Sequence, residues 1–490
     1  MGEDEIVALR REKLERLRSG GRDPYPARAH RTHTALDAAE LLERSPDGRD
    51  LVAVAGRVTA LRRMGKATFV DLRDGSGRIQ AYFKQESLGV QPYELLLHTV
   101  DLGDFLSVSG TLFHTKTGEP TIEAQDFSVL AKALRAPPEK WHGLHDVEIR
   151  YRQRYLDLMA NPEVRDTFVT RSKIIQQLRR FMDERGYLEV ETPILQSSAG
   201  GAAARPFVTH HHALGRQLYL RIALELHLKR LVVGGFDRVY EIGRIFRNEG
   251  VSTKYNPEFT MLESYEAYAD YNALMEMVEE MVSRVAGEVL GTTRVMNGET
   301  EIEFAPPWPR IPLRDAIRDR CGVDFDAHPD VDGLRKAAAA TGLPVEESWE
   351  RAKLIDELLT AHVEPHLMQP TFLIDYPVEL SPLAKRKPDS PHLVERFEFF
   401  IAGREVGNAY SELNDPVDQR ERLLEQVKLR AAGDEEVELA DEDFLIALEH
   451  GMPPTAGLGI GIDRLVMALT GNSSIREVIL FPAMRENEDA

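Results

Sequence analysis

Between residues 51 and 130 the apolar residues fall into five short runs of alternating character, and this limits the fold more than any other feature of the chain. The runs cover 52–54, 68–72, 79–83, 105–108 and 121–123, and turn chemistry at Asp74-Gly75-Ser76-Gly77 and Thr117-Gly118-Glu119-Pro120 separates them. A period of two buries one side of each strand, so five such strands predict a small closed barrel of the OB-fold kind. Barrels of this kind often hold single-stranded nucleic acid by stacking bases on aromatic rings along a basic groove. Upstream, residues 3–18 predict a helix that stops at Ser19-Gly20-Gly21. Its Arg10, Arg11, Lys13, Arg16 and Arg18 are read as facing water, with nucleic-acid contact as the alternative.

Past Pro137-Pro138 the pattern changes. Lys140-Trp141-His142-Gly143 leads into a basic stretch with Arg150, Arg152 and Arg154, read as part of a phosphate-contacting surface. Over 164–185 apolar residues recur at helical spacing, with Val164, Phe168, Ile175, Leu178 and Met182 on one face. Gly186 ends that helix, a strand begins at Tyr187, and a second long helix is predicted over 271–289. Long helices mixed with hairpin strands predict an α+β domain on an antiparallel sheet. The expected divisions are a helical extension over 1–50, the barrel over 51–135, a linker over 136–160 and the large domain over 161–490. A net charge of -20, from 61 basic against 81 acidic residues, confines any nucleic-acid contact to a local basic surface. One cysteine, Cys321, excludes an intramolecular disulfide, and no apolar run approaches the ~18 residues of a bilayer span, so the expectation is a cytoplasmic chain with no membrane contact.

Three segments of the large domain carry chemistry. The first runs from Val239 through Phe246-Arg247-Asn248-Glu249 to a polar loop and then Pro257-Glu258-Phe259-Thr260-Met261-Leu262-Glu263-Ser264-Tyr265. Read as a hairpin, it puts Phe259, Met261, Glu263 and Tyr265 on one strand face, and charges at Arg247 and Glu249 are costly there unless they meet a ligand or each other. The second, Gly457-Leu458-Gly459-Ile460-Gly461-Ile462-Asp463-Arg464, leaves a strand surface open to a planar group, with Arg464 at a helix start able to face polyphosphate. The third runs from Phe397-Glu398 to Glu405 and on through Asn408, Tyr410 and Glu412, which share a face. With the hairpin turn centred on Ile401-Ala402, Glu398 and Glu405 become cross-strand neighbours, a pair stable only with a cation between them, for which magnesium, Mg²⁺, is suited. Three adjacent histidines, His210-His211-His212, alternate faces on a strand and are read as structural.

Taken together, these segments resemble class II aminoacyl-tRNA synthetases. The helix-strand-Pro193 unit is similar to the first signature of that class, which forms its dimer interface; Phe246-Arg247-Asn248-Glu249 with Pro257-Glu258-Phe259-Thr260 to the second; Gly459 to Arg464 to the third. Ala199-Gly200-Gly201-Ala202-Ala203-Ala204-Arg205-Pro206-Phe207, Leu228-Lys229-Arg230-Leu231-Val232-Val233-Gly234-Gly235 and Gly403-Arg404-Glu405-Val406-Gly407-Asn408 narrow the resemblance to the lysyl-tRNA synthetase family, over nearly the whole chain. It implies a class II catalytic domain on an antiparallel sheet flanked by helices, a homodimer, and a reaction of lysine with ATP to lysyl-adenylate and pyrophosphate, followed by transfer to tRNA(Lys). Arg247 would clamp the α-phosphate and the lysine carboxylate, Arg464 would stack on adenine and hold the γ-phosphate, Glu249 would hold the nucleotide, and Phe259 would pack on adenine. Tyr255, Asn256, Glu398 and Gly459 complete the implied ATP site, and Glu398 with Glu405 would carry Mg²⁺. Glu412, Tyr265 and Glu263 would hold the ε-ammonium, Glu225 and the Gly201 backbone the α-amino group, Asn408 the carboxylate and Tyr410 the aliphatic stem. On the barrel, Phe69 and Gln80, with Arg62 and Glu123 nearby, match anticodon-reading positions.

The chain departs from the family pattern at Leu224, where proline is usual, and at His212, Ile245 and Tyr255. Aspartyl and asparaginyl synthetases share the barrel and class signatures, but an anionic or amide side chain would not be met by Glu412 and Glu263. A catalytically silent tRNA-binding regulator would have no use for Arg247, Glu398, Glu405 and Arg464 together.

Overall fold

The structure, a computed structural model, describes residues 2–46, 50–138, 144–198, 200–202, 204–431 and 441–485, with the side chains of 428–431 outside that description. The stretch from Lys140 to Gly143, and Ala199 and Ala203 of the glycine-alanine segment, lie outside the described residues. The chain divides into two compact units, residues 1–145 and 146–490.

In the first unit, strands Leu51–Met64, Ala67–Arg73, Arg78–Lys84, Phe105–His114 and Pro120–Ala131 close into a barrel. The parallel pairing of the third strand with the fifth completes the ring. Alternation does what the sequence pattern predicts: Val54, Val70, Leu72, Ala81, Phe83, Val108 and Ile122 fill the interior. Helices Glu3–Ser19 and Ala35–Arg44 contribute Leu17, Ala35, Ala38 and Leu42 to the same core. The first helix is therefore not simply solvated. Its Arg10 is buried and donates to the carbonyls of Leu102, Ala133 and Arg135, and Lys13 pairs with Asp101 at 2.5 Å, so these two cations hold their own unit together.

The second unit is built on a nine-stranded sheet. Eight strands follow the order Arg310–Pro312, Thr371–Pro377, Ser390–Ile401, Arg404–Ser411, Thr455–Gly461, Glu258–Ala267, Arg238–Phe246, Leu188–Glu189, and Arg386–Lys387 adds a ninth against Ser390–Ile401. Pairing along that order is antiparallel except at the two ends, where Leu188–Glu189 and Arg310–Pro312 lie parallel to their neighbours. One face is apolar: Leu262, Phe397, Phe399, Leu458 and Ile460 share a core with helices Pro162–Glu184, Tyr271–Leu290 and Ile462–Thr470. Each such side chain gains about 1.5–3 kcal/mol from burial. Helix Pro162–Glu184 buries Val164, Ile174, Leu178, Phe181 and Met182, so Ile175 lies at the edge of the buried stripe and Phe168 lies under the Arg154 guanidinium instead. The other face of the sheet carries the charged residues.

The basic stretch before this helix is structural. Arg154 is fully buried, donating to the carbonyls of Arg476, Ile479 and Leu480 and pairing with Asp157. Arg150 is held by Asp157 and Glu477, and Arg152 by Glu148 and the Arg485 carbonyl. These three arginines tie down residues 476–485; their guanidinium groups are engaged within the unit rather than arrayed for phosphate.

Candidate active site

Strands Arg238–Phe246 and Glu258–Ala267 form the expected hairpin, with residues 247–257 between them. Arg247 and Glu249 lie just beyond the strand, which removes the cost of charges inside a ladder; Glu249 is solvent-exposed, and the Arg247 N–H still donates to the Pro257 carbonyl. Phe259, Met261, Glu263 and Tyr265 share the polar face by strand alternation, and Leu262 points to the core. Opposite them, Gly457, Gly459 and Gly461 face the same side, with Ala456, Leu458 and Ile460 beneath. A Cβ at Gly457 would lie 1.9 Å from Oε1 of Glu412, so a glycine is required for that carboxylate to sit there.

The hairpin of Ser390–Ile401 and Arg404–Ser411 closes differently from the register assumed above. Its turn is Ala402-Gly403, both with positive φ, not Ile401-Ala402. A two-residue hairpin turn of this twist needs positive φ at both central positions, and Gly403 supplies one at no steric cost. Glu405 pairs with Phe400 and Glu398 with Asn408, and a bulge between these pairs returns Glu405 to the face that carries Glu398 and Asn408. The two carboxylates are therefore diagonal rather than directly opposed. Glu398 accepts from Arg396 at 2.6 Å and from the Tyr376 hydroxyl at 2.8 Å. Burial pushes its carboxyl up to about 7, with Arg396 opposing and Glu405 adding to the rise. Glu405 accepts from Arg464 at 3.0 Å.

At one end of this face, Arg247 lies 5.2 Å over the Phe259 ring and donates to the Ile222 carbonyl, and Arg464 lies 5.5 Å over the Tyr255 ring. Arg464 follows Asp463, which accepts from the Thr260 N–H and from Arg171 and so pins the start of helix Ile462–Thr470 to the neighbouring strand. Asn256 is buried, and both ends of its side chain are engaged by main chain: it donates to the Glu258 carbonyl and accepts from the Ala483 N–H. Its side chain closes the loop rather than facing a ligand.

The other end is a pocket of buried carboxylates. Glu225, Glu263 and Glu412 are 6%, 4% and 2% exposed. Glu263 accepts from the Tyr265 hydroxyl at 3.3 Å and from the Leu224 N–H at 3.0 Å. The departure at 224 thus has a physical content, because proline has no N–H to give. Burial pushes Glu263 up to about 7, Glu225 adds to the rise, and the Leu224 N–H and Arg247 oppose it. Burial likewise raises Glu412 well above the ordinary range, against the pull of Lys229. Tyr410 donates to Glu225 at 2.7 Å, and Gly201 packs so closely that a Cβ there would lie 3.3 Å from that of Glu225. Asn408 pairs across the sheet with both Glu398 and Gly459, between the two ends of the site.

Sequence reasoning missed the cations of this face. Lys229 is fully buried between Glu225 and Glu412, and the spacing Glu225 to Lys229, four residues on one helix, was the available signal. Arg396 sits two residues before Glu398 on the same strand face, again a visible period. Tyr376, from a strand outside all three segments, had no local signal. Of the histidines, His210 and His212 pack edge to face at 5.1 Å and His211 accepts from the Leu214 N–H.

In the first unit, the outward side of the barrel gathers the expected residues with additions. Phe69 stacks on Tyr82 at 4.7 Å, and Tyr82 meets Phe113 at 6.1 Å. Gln80 is buried and accepts from Thr121, Arg62 pairs with Asp71 at 2.8 Å, and Glu123 accepts from Ser87.

Both units match family models. Residues 146–485 match the model of "tRNA synthetases class II (D, K and N)", and residues 52–130 match that of the OB-fold nucleic acid binding domain. Among the curated relatives, the lysine–tRNA ligase of Moorella thermoacetica is 55% identical over 487 residues, covering 99% of both chains. That of Dehalococcoides mccartyi is 55% identical over 494 residues, with 100% of this chain and 99% of the relative covered. That of Chloroflexus aurantiacus is 54% identical over 487 residues, 99% of each. Matches of this depth run along the whole length, and the chain belongs to the class II lysyl-tRNA synthetases.

Proposed function

We propose that this site joins lysine to tRNA(Lys) at the expense of ATP, and that the three buried carboxylates Glu225, Glu263 and Glu412 are the observation that carries the choice of lysine. An ammonium loses its hydration on burial, a cost of several kcal/mol that only matched carboxylates and further hydrogen bonds offset. Glu412 has a buried oxygen, Oε1, with no hydrogen-bond donor among the described residues, and Glu263 with the Tyr265 hydroxyl lies beside it. These groups would take the ε-ammonium. Glu225 and the Gly201 backbone would take the α-amino group, Tyr410 would flank the stem, and Asn408 would meet the carboxylate.

Arg247 would then hold the lysine carboxylate against the α-phosphate, in a two-pronged grip that a lysine side chain does not offer. A carboxylate oxygen attacks the α-phosphorus, the bond to the β-phosphate bridge breaks, and pyrophosphate leaves with its electron pair. The terminal ribose hydroxyl of the tRNA next attacks the lysyl carbonyl, and AMP departs. Positioning and charge stabilisation dominate such steps. Arg464, with Phe259 on the opposite side, would hold adenine and the γ-phosphate; Glu249, Tyr255 and Gly459 border the same space, and the Asn256 side chain keeps the loop closed. Glu398 and Glu405 would hold a divalent cation: the bulge brings both carboxylates to one face, and the charge of Glu405 adds to the rise of the Glu398 carboxyl, a repulsion that a cation between them relieves. When bound, Mg²⁺ would supply neutralisation of the triphosphate, with water and phosphate oxygens completing its shell.

On the barrel, Phe69 would stack on an unpaired anticodon base with Gln80, Arg62 and Glu123 around it, the usual mode of reading single-stranded RNA. The reading also makes the enzyme a cytoplasmic homodimer. Edge strand Leu188–Glu189 and the exposed Leu188, Ile194, Leu195 and Val208 support a second copy covering that side of the catalytic unit. No helix among the described residues is long and apolar enough to cross a membrane. The test is ATP–pyrophosphate exchange with each amino acid, then aminoacylation of lysine tRNA with natural and altered anticodons. The proposal expects exchange with lysine alone and charging that falls when the anticodon is changed; exchange with another amino acid, or indifference to the anticodon, contradicts it.

A further inference from the structure

Lys229 is 0% exposed, yet it is not paired in the manner of a closed structural ion pair. Its Nζ lies 2.5 Å from Oε1 of Glu225 and also contacts Oε2 of Glu412, with the rings of Tyr410 and Phe444 at 5.6 and 5.7 Å. One ammonium thus takes one oxygen from each of two carboxylates. The oxygens that Lys229 leaves untaken are Oε1 of Glu412, beside Gly457, and Oε2 of Glu225, which like Oε1 accepts from the Tyr410 hydroxyl. With an ammonium substrate holding the carboxylates ionised, Glu225, Glu263 and Glu412 contribute three negative charges against the one positive charge of Lys229, which leaves two. Lysine brings two ammonium groups, and its carboxylate is matched separately by Arg247.

We propose that Lys229 is a positioning residue which sets the pocket's charge to match a doubly cationic amino acid and fixes the orientation of the Glu225 and Glu412 carboxylates. This rests on the reading of the site as a lysine pocket. Burial acts against the Lys229 charge, but Glu225 and Glu412 more than offset it, so the ammonium stays protonated well above the ordinary lysine range. Without it, three carboxylates share one buried space, and like charges in low dielectric force one to take up a proton and turn from acceptor to donor. A merely structural pair would behave differently: breaking it would lower stability and move the lysine and ATP KM values together, whereas a residue that sets the charge of the lysine site moves the lysine KM alone.

The experiment measures lysine and ATP KM by ATP–pyrophosphate exchange for the full-length wild type, Lys229→Met, Glu225→Gln and the double variant. Lysine-dependent exchange by the wild type tests the parent reading by itself, so its failure is distinguishable. The inference expects Lys229→Met to raise the lysine KM about 30-fold or more and to leave the ATP KM within about threefold. It also expects a reversal of sign: Lys229→Met introduced into Glu225→Gln lowers the lysine KM or leaves it unchanged, because the pocket returns to two negative charges. That second comparison stands even where the single Lys229→Met chain fails to fold. An unchanged lysine KM in Lys229→Met, a parallel rise of both KM values, or a double variant worse than Glu225→Gln would each overturn it.

Discussion

The outer face of the barrel and the polar face of the catalytic sheet both gather arginines, carboxylates and aromatic rings, but they hold charge in opposite ways. On the barrel, the side chains of Arg62 and Arg78 are 46% and 41% exposed around Asp71. On the sheet, Lys229, Glu263 and Glu412 are all but excluded from water. Exposed pairs are screened and contribute little, whereas a buried charge must be matched or it defeats binding. The barrel is therefore suited to recognition by stacking and shape, and the sheet pocket to recognition by compulsory neutralisation.

The comparison breaks first at Glu412. Glu412→Gln is expected to raise the lysine KM on the order of 10²-fold or more with little change for ATP, because a buried ammonium would then face a neutral amide. Titrating lysine in the exchange assay checks this; a change under about threefold would mean that buried charge does not select the substrate. On the barrel, Phe69→Ala removes one stacking surface, which is worth about 1–3 kcal/mol per base. The tRNA KM in aminoacylation should rise about 10- to 100-fold. Lysine-dependent exchange in the same variant should match wild type, and a drop there would deny the barrel its separate role.

A pH series sharpens the contrast further. Burial pushes Glu263 up to about 7, and an ammonium is received only by the ionised carboxylate. The groups facing it are Glu225, Glu412, Tyr265, Arg247 and the Leu224 N–H. As pH rises through 7 the proton is lost, so the lysine KM should fall roughly tenfold between pH 6 and pH 8 and then level off. A flat lysine profile over that window contradicts the assignment. The smallest effect is expected at Leu224→Pro. It removes the N–H donated to Glu263, and a rise of about three- to fivefold in lysine KM at neutral pH, measured in the same assay, would give that bond its weight.

Much of the site was legible because a strand's period of two makes charge placement predictable. Phe259, Met261, Glu263 and Tyr265 needed only alternation, as did the glycines opposite them, and the long helices followed from their apolar stripes. The parts that were not legible share a cause. The register of the hairpin through Glu398 and Glu405 depended on which residue took the left-handed turn and on a bulge, neither of which alternation reveals. Arg10, Arg150, Arg152 and Arg154 were read as solvated or phosphate-facing because their captors, such as the carbonyls of Arg476 and Leu480 for Arg154, lie far away in the chain. A basic residue in sequence shows its charge but not the distant carbonyls and carboxylates that consume it. The barrel face was the least legible by physics, since Phe69 alone could equally be a core ring; the stacked Tyr82 beside it became visible only in three dimensions.

The central claim is that buried carboxylates choose the amino acid. A crystal structure with lysine and a non-hydrolysable ATP analogue tests it most directly. The account predicts the ε-nitrogen within hydrogen-bond distance of Oε1 of Glu412 and beside Glu263 and Tyr265, with Arg247 joining the lysine carboxylate to the α-phosphate. A lysine tail directed away from these three side chains, with the triphosphate still gripped by Arg247 and Arg464, would contradict it.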